Sequence, residues 1–168
     1  MKKLSFQVIF FLIISVTGSF VCAAAEQGDA INITSDRMEA DKSKRFIVFE
    51  GDVIAKQKDM TIKSDELHVH FGESGKDIEE VIAIGNVRVE QGDKTATAKR
   101  AEYNKAEEKV VLTGNARLKE VSNFVEGERV TVYVKDGRSI VEGSKKERVK
   151  AHILSNNEGG ILGETFSK

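Results

Sequence analysis

The chain has 168 residues, with 26 Lys and Arg against 27 Asp and Glu, one Cys, no Pro and no Trp. That length suits one domain able to bury a core without a disulfide or a metal, and one thiol can supply neither an internal disulfide nor a Cys-rich zinc site. A net charge of −1 argues against the clustered basic face on which nucleic-acid affinity rests, so no nucleic-acid partner is expected.

Met1-Lys2-Lys3 is a short cationic start, followed by an apolar run from Leu4 to about Val21 and by Ala23-Ala24-Ala25. This three-part pattern predicts a secretory signal peptide over residues 1–25, with cleavage after Ala25 and export to the periplasm. Cleavage removes Cys22 and two of the 26 basic side chains. Val21 stands where a lipoprotein signal wants a small residue, which argues against lipidation of Cys22. An uncleaved anchor is the other alternative, since the run approaches the ~18 residues needed to span. Ser5, Gln7, Ser15, Thr17, Gly18 and Ser19 dilute it, and the Ala triplet favours cleavage.

From about Ala30 onward the apolar residues recur at every second position. Leu67, Val69 and Phe71 alternate with Glu66, His68 and His70, and Val130, Val132 and Val134 alternate with Arg129, Thr131 and Tyr133. A period of two predicts strands with one buried face. Turn signals fall between the runs at Gly72-Glu73-Ser74-Gly75, Gln91-Gly92-Asp93 and Lys135-Asp136-Gly137. Ala101 to Lys109 is the one weak helical candidate. The class expected is all-β, over a domain of residues 26–154 with a flexible tail at 155–168, whose Gly159-Gly160 and Asn156-Asn157 favour disorder.

Aligned glycines reveal a repeat. Phe49-Glu50-Gly51-Asp52-Val53, Ala83-Ile84-Gly85-Asn86-Val87 and Leu112-Thr113-Gly114-Asn115-Ala116 share one pattern, and Val141-Glu142-Gly143-Ser144 is a degraded fourth copy. The glycines lie 34, 29 and 29 residues apart, within the range of stacked repeats. A second unit recurs between them: Asp36-Arg37-Met38, Asp65-Glu66-Leu67, Ala101-Glu102-Tyr103 and Glu128-Arg129-Val130. Phe49 and Val53, like Leu112 and Ala116, sit two positions either side of a Gly and are apolar. That parity predicts bulges or kinks within long strands, not hairpin tips. Strands bent at aligned positions fold a sheet over on itself.

The inner face of such a sheet is expected to carry Ile31, Ile33, Ile47, Phe49 and Val53 from the first part of the chain. Leu67, Val69, Phe71, Val87 and Val89 follow, then Val110, Leu112, Leu118, Val130 and Val132. An ordinary packed core is one reading of this set. The other is an apolar trough for acyl chains, left open because the inward residues are mostly small. Each buried CH₂ contributes ~0.8 kcal/mol, so a carrier needs partial, open-sided burial to release its cargo.

The sequence offers no catalytic constellation, and no enzyme, cofactor or metal is expected. Glu66, His68 and His70 form E-x-H-x-H, but they oppose Leu67, Val69 and Phe71, so the histidines face water. Gly72-Glu73-Ser74-Gly75-Lys76 lacks the spacing of a phosphate loop and reads as a turn. No G-x-S-x-G elbow is present.

The run Glu108-Lys109-Val110-Val111-Leu112-Thr113-Gly114-Asn115-Ala116-Arg117-Leu118 resembles the V-V-L-T-G-N-A segment of the OstA-like, LptA-type family of lipopolysaccharide-transport proteins. Ile31-Asn32-Ile33-Thr34-Ser35-Asp36 is similar to that family's opening strand, Phe49-Glu50-Gly51-Asp52-Val53 to its F-x-G-N-V, and Glu126-Gly127-Glu128-Arg129-Val130 to a downstream segment. The likeness runs from about Ile31 to Ile153. It implies an elongated open β-jellyroll, a V-shaped folded sheet of about sixteen antiparallel strands that holds the acyl chains of lipopolysaccharide inside. It further implies head-to-tail self-association through terminal strands, bridging an LptC-like inner-membrane protein to an LptD-like outer-membrane translocon. Lipid-contacting positions carried over by resemblance are Ile31, Val89 and Tyr103; Lys105 departs from an apolar family position. Edges at Ala30 to Thr34 and Lys150 to Leu154, in a chain without Pro, are left competent for strand addition. A membrane-anchored LptC-like adaptor of the same fold and a structural or polysaccharide-binding β-solenoid are the alternatives.

Overall fold

A computed structural model describes residues 30–154. The leader and tail segments, 1–25 and 155–168, lie outside the described residues. Ten strands form one antiparallel sheet: β1 (Asn32–Thr34), β2 (Arg37–Asp41), β3 (Phe46–Gln57), β4 (Met60–Phe71), β5 (Ile78–Gln91), β6 (Lys94–Asn104), β7 (Lys109–Glu120), β8 (Asn123–Tyr133), β9 (Arg138–Glu142) and β10 (Lys150–His152). Strands β3 to β8 pair in sequence order, a meander of hairpins. The edges are composite: β1 and β2 both pair with β3, and β9 and β10 both pair with β8.

All six long strands cross one line of register shifts, between Glu50 and Val53 on β3, Lys63 and Glu66 on β4, Ile84 and Val87 on β5, Thr97 and Arg100 on β6, and Thr113 and Ala116 on β7, opposite Arg129 and Gly127 of β8. The shifts are β-bulges of a single design. Each odd strand inserts a Gly–Asx pair at positive φ, namely Gly51-Asp52 (80° and 40°), Gly85-Asn86 (75° and 46°) and Gly114-Asn115 (84° and 51°). One residue of the next strand stands opposite: Asp65, Lys99 or Glu128. Glycine tolerates the left-handed conformation and Asn or Asp comes next best, so these residue types set the bend. At the middle bulge the Asn86 side-chain amide donates to both Asp65 carboxylate oxygens at 3.2 and 2.9 Å, and a Cβ on Gly85 would lie 2.7 Å from Asp65 Cγ.

The line of bulges divides the sheet into two limbs. One carries β2 and β9 at its edges, the other β1 and β10. The sixteen strands implied by resemblance correspond to ten continuous ones here; separating the halves of the six bent strands recovers the larger number. Three expectations change. The helical candidate at Ala101–Lys109 is the end of β6 and a hairpin, in which Asn104 Oδ1 accepts the Glu107 N–H at 2.9 Å. The third copy of the second repeat unit is Lys99-Arg100-Ala101, because Lys99 holds the position of Asp65 and Glu128. The fourth glycine copy ends a strand instead of bending one. After Glu142 the chain leaves the sheet over residues 143–149, where the Ser144 N–H donates to Glu147 O at 2.8 Å, and it returns only at β10.

Inward side chains form two contiguous clusters. One joins Val53, Ala55, Leu67, Val69, Ala83 and Val87; the other joins Ala96, Leu112, Ala116, Leu118, Val125, Val130 and Val132. Each cluster mixes residues of both limbs. One face of a lone sheet cannot shield a side chain to 0%, as Val130 and Ala116 are shielded, so the limbs cover each other.

Candidate functional site

The inner face reads as rows running across the strands. In the β2/β9 limb one row is Phe49, Leu67, Ala83, Ala101, Leu112, Val130 and Val141, and the next is Ile47, Val69, Val81, Tyr103, Val110, Val132 and Ser139. In the β1/β10 limb a row of Ile33, Ala55, Ile62, Val89, Ala96, Leu118, Val125 and Ala151 is followed, farther from the bend, by Gln57, Met60, Gln91, Lys94, Glu120 and Asn123. Beside the bulges lie Val53, Ser64, Val87, Ala98, Ala116 and Gly127.

These rows bring together fourteen of the expected residues: Ile33, Ile47, Phe49, Val53, Leu67, Val69, Val87, Val89, Tyr103, Val110, Leu112, Leu118, Val130 and Val132; Phe71 lies beyond Val69 at the end of β4, paired with Ile78 and packed on the same cluster. Ile31 stands apart, ahead of β1 and 42% exposed. Burial is uneven. Val53, Leu67, Val69, Val87, Leu112, Leu118, Val130 and Val132 are no more than 5% exposed, while Ile33, Phe49, Phe71, Val89 and Tyr103 are half-buried. Small inward residues therefore bring the limbs together instead of leaving a trough open along its length; the middle is closed by the protein's own side chains.

Periodicity did not single out Ala55, Ile62, Ala83, Ala96, Ala98 and Val125, which also face inward, as does Ala116. Alanine is a weak hydrophobic signal. A second cause is a parity change: inward residues step by four across the bulge on odd strands (Phe49 to Val53, Leu112 to Ala116) but by three on even strands (Ser64 to Leu67, Ala98 to Ala101, Gly127 to Val130).

The outer face is mostly polar and ion-paired, with Val48, Ile82 and Val111 interspersed in the row of His68 and Glu102. Arg37 bonds Glu50 across the β2–β3 ladder, Arg100 pairs with Glu102 at 2.6 Å, and Arg117 pairs with Glu126 at 2.9 Å. His68 and His70 lie here, with the Phe46 ring 5.6 and 4.6 Å from theirs, and His68 Nε2 sits 3.2 Å from Glu66 Oε2. His152 is on another strand, stacked 5.5 Å from Phe124, whose ring also lies 4.3 Å from the Arg117 guanidinium. Among the described residues no group of three or more His, Cys, Asp and Glu side chains is placed to hold a metal. Gly72 to Asp77 is a turn closed by the Gly72 N–H to Asp77 O at 2.9 Å, and Lys105 at the adjacent hairpin reaches Asp77 at 3.5 Å. Among the described residues one carboxyl departs clearly from its usual range: the Ser43 hydroxyl and the Lys44 backbone N–H lower Asp41 to about 2.

The chain is 28% identical over 173 residues to the lipopolysaccharide export system protein LptA of Escherichia coli K12, covering 94% of this chain and 92% of the relative. It is 27% identical to LptA of Haemophilus influenzae, over 92% of this chain and 94% of that one. A shorter match, 33% identical over 75 residues, is to the LPS-assembly protein LptD of Nitrosomonas europaea; it covers 45% of this chain and 10% of that protein. In fold the chain is similar to LptH, the LptA-homologous periplasmic component of a lipopolysaccharide transport device in Pseudomonas aeruginosa. The TM-score is 0.65 at 19% identity, covering 75% of this chain and 96% of LptH. Residues 32–138 match the family described as LptA/(LptD N-terminal domain) LPS transport protein, and the chain belongs to that family.

Proposed function

We propose that this chain is a non-enzymatic periplasmic carrier that receives the acyl chains of lipopolysaccharide on the inner face of its bent sheet and helps bridge the inner and outer membranes. The observation that carries the reading is the continuity of that face, which runs from β3 to β8 as two adjoining apolar clusters without a buried charge among the described residues. Acyl chains are recognised by apolar area, not by directional contacts, and such a face supplies it. Its half-buried margin, including Phe49, Phe71, Val81, Tyr103 and Val110, is where a chain first gains contact. Deeper seating parts the limbs. At ~0.8 kcal/mol per buried CH₂, contacts already made between the limbs offset part of the gain and keep binding reversible.

The composite edges support joining to neighbours by strand pairing. β1, β2, β9 and β10 are three to five residues long and leave their outer backbone groups free for another strand. The neighbours in this reading are further copies in head-to-tail order, an LptC-like protein at the inner membrane and an LptD-like translocon at the outer. The leader over residues 1–25 is cleaved on export; retention of Met1 to Ala25, read from the mass of the exported chain, would favour the anchored adaptor.

Photocrosslinkers at Val69 and Val132 in cells test the carrier reading. Adducts with lipopolysaccharide at both positions are expected. Solvent adducts alone at both would reject it in favour of a solid structural β-fold.

A further inference from the structure

Ser64 is the one buried polar residue among the described residues, 5% exposed in a row otherwise made of Val, Ala and Gly. It faces inward from β4, paired with Val53, one step beyond the Lys63–Arg88 pair and hence beside Val87. Its hydroxyl has no hydrogen-bond partner. Nine in ten buried polar groups are paired, and a buried hydroxyl without a partner opposes folding, whereas alanine there would carry no such penalty. The hydroxyl can both donate and accept. It stands in the row beside the bulges, between Val53 of β3 and Val87 of β5, both no more than 2% exposed.

We propose that Ser64 is a specificity-determining residue that hydrogen-bonds a hydroxyl carried by a bound acyl chain. This rests on acyl chains occupying the interior, as proposed above. An unsubstituted chain leaves the Ser64 hydroxyl orphaned; a 3-hydroxyacyl chain satisfies it in either direction, since both groups donate and accept. The interior thereby tells a hydroxylated chain from a plain one of equal length.

The test titrates the purified chain with 3-hydroxytetradecanoate and with tetradecanoate, in parallel with Ser64→Ala and Ser64→Thr. The wild type is expected to hold the hydroxy acid about fivefold more tightly, the value of one net hydrogen bond. The ratio falls to near one in Ser64→Ala and is largely restored in Ser64→Thr. The Tm of ligand-free Ser64→Ala is expected to equal or exceed that of the wild type. Equal wild-type affinity for the two acids, or a preference that survives Ser64→Ala, overturns the assignment. A lowered Tm in Ser64→Ala also overturns it, because the hydroxyl then has a partner within the protein. Binding of neither acid removes the acyl-carrier reading itself, and this assignment with it.

Discussion

The two limbs share every long strand yet are lined differently. The β2/β9 limb presents Phe49, Leu67, Val69, Phe71, Tyr103 and Leu112, large side chains that stay apolar out to Phe71 and Ile78 at the strand ends. The β1/β10 limb sets Ala55 and Ala96 among Ile33, Ile62, Val89, Leu118 and Val125 and ends in Gln57, Gln91, Lys94, Glu120 and Asn123, with Lys94 3.8 Å from Glu120. The first limb contributes apolar volume and an apolar margin. The second contributes close approach and a polar end. A bent sheet built this way is asymmetric along its strands, although the strands themselves are continuous.

That asymmetry can be broken at named positions. Leu67→Ala should have the largest effect, since Leu67 is 2% exposed at the centre of the large-residue rows. A loss of about 2–5 kcal/mol in chemical denaturation is expected, because the facing limb cannot fully collapse onto the cavity. Beside the bulges the opposite change is the damaging one. Ala116, fully buried, has no room for more atoms, and Ala116→Leu should cost about 1–3 kcal/mol by overpacking, read from the same denaturation curve. If Ala116→Leu is neutral, the limbs are not in close contact beside the bulges.

Gly85→Ala tests the bend that defines the limbs. The substitution places a Cβ at φ 75° and 2.7 Å from Asp65 Cγ, and a loss of about 1–2 kcal/mol is expected by thermal denaturation. The smallest effect is at the tip of the β2/β9 limb. Asp41, held near 2 by the Ser43 hydroxyl and the Lys44 N–H, has a folded value below its unfolded one. Its contribution is therefore fully present above the ordinary carboxylate range and is lost as pH falls through about 2. The Asp41 side chain is 33% exposed and screened by solvent, so only a slight acid loosening of residues 42–45 is expected, seen as wild-type amide exchange that approaches that of Asp41→Ala as pH falls.

The period-two alternation of Leu67, Val69 and Phe71, and of Val130 and Val132, was enough to place these side chains on one face, because a pleated strand permits no other arrangement. The glycine repeat located the bulges for a comparable reason: Gly51, Gly85 and Gly114 each precede an Asx and break no parity on their own strands. The partner residues were harder to read. Asp65 and Glu128 are carboxylates but Lys99 at the same position is a cation, so the parity change on β4, β6 and β8 has no uniform sequence marker, and the third repeat copy lies two residues ahead of where the motif places it. The Ala101–Lys109 stretch is rich in helix formers, but its chain ends are already committed to ladders with β5 and β8. Ladder pairing outweighs local propensity there.

Residue type and spacing alone settled the class of structure, the bend positions and most of the apolar face, since backbone stereochemistry and side-chain alternation are local properties. How far the limbs close, which side chains they shut away, and that Ser64 Oγ is left without a partner depend on atoms from strands distant in sequence meeting across the fold. Packing of that kind is decided by the assembled volume of both limbs, and no single segment carries it.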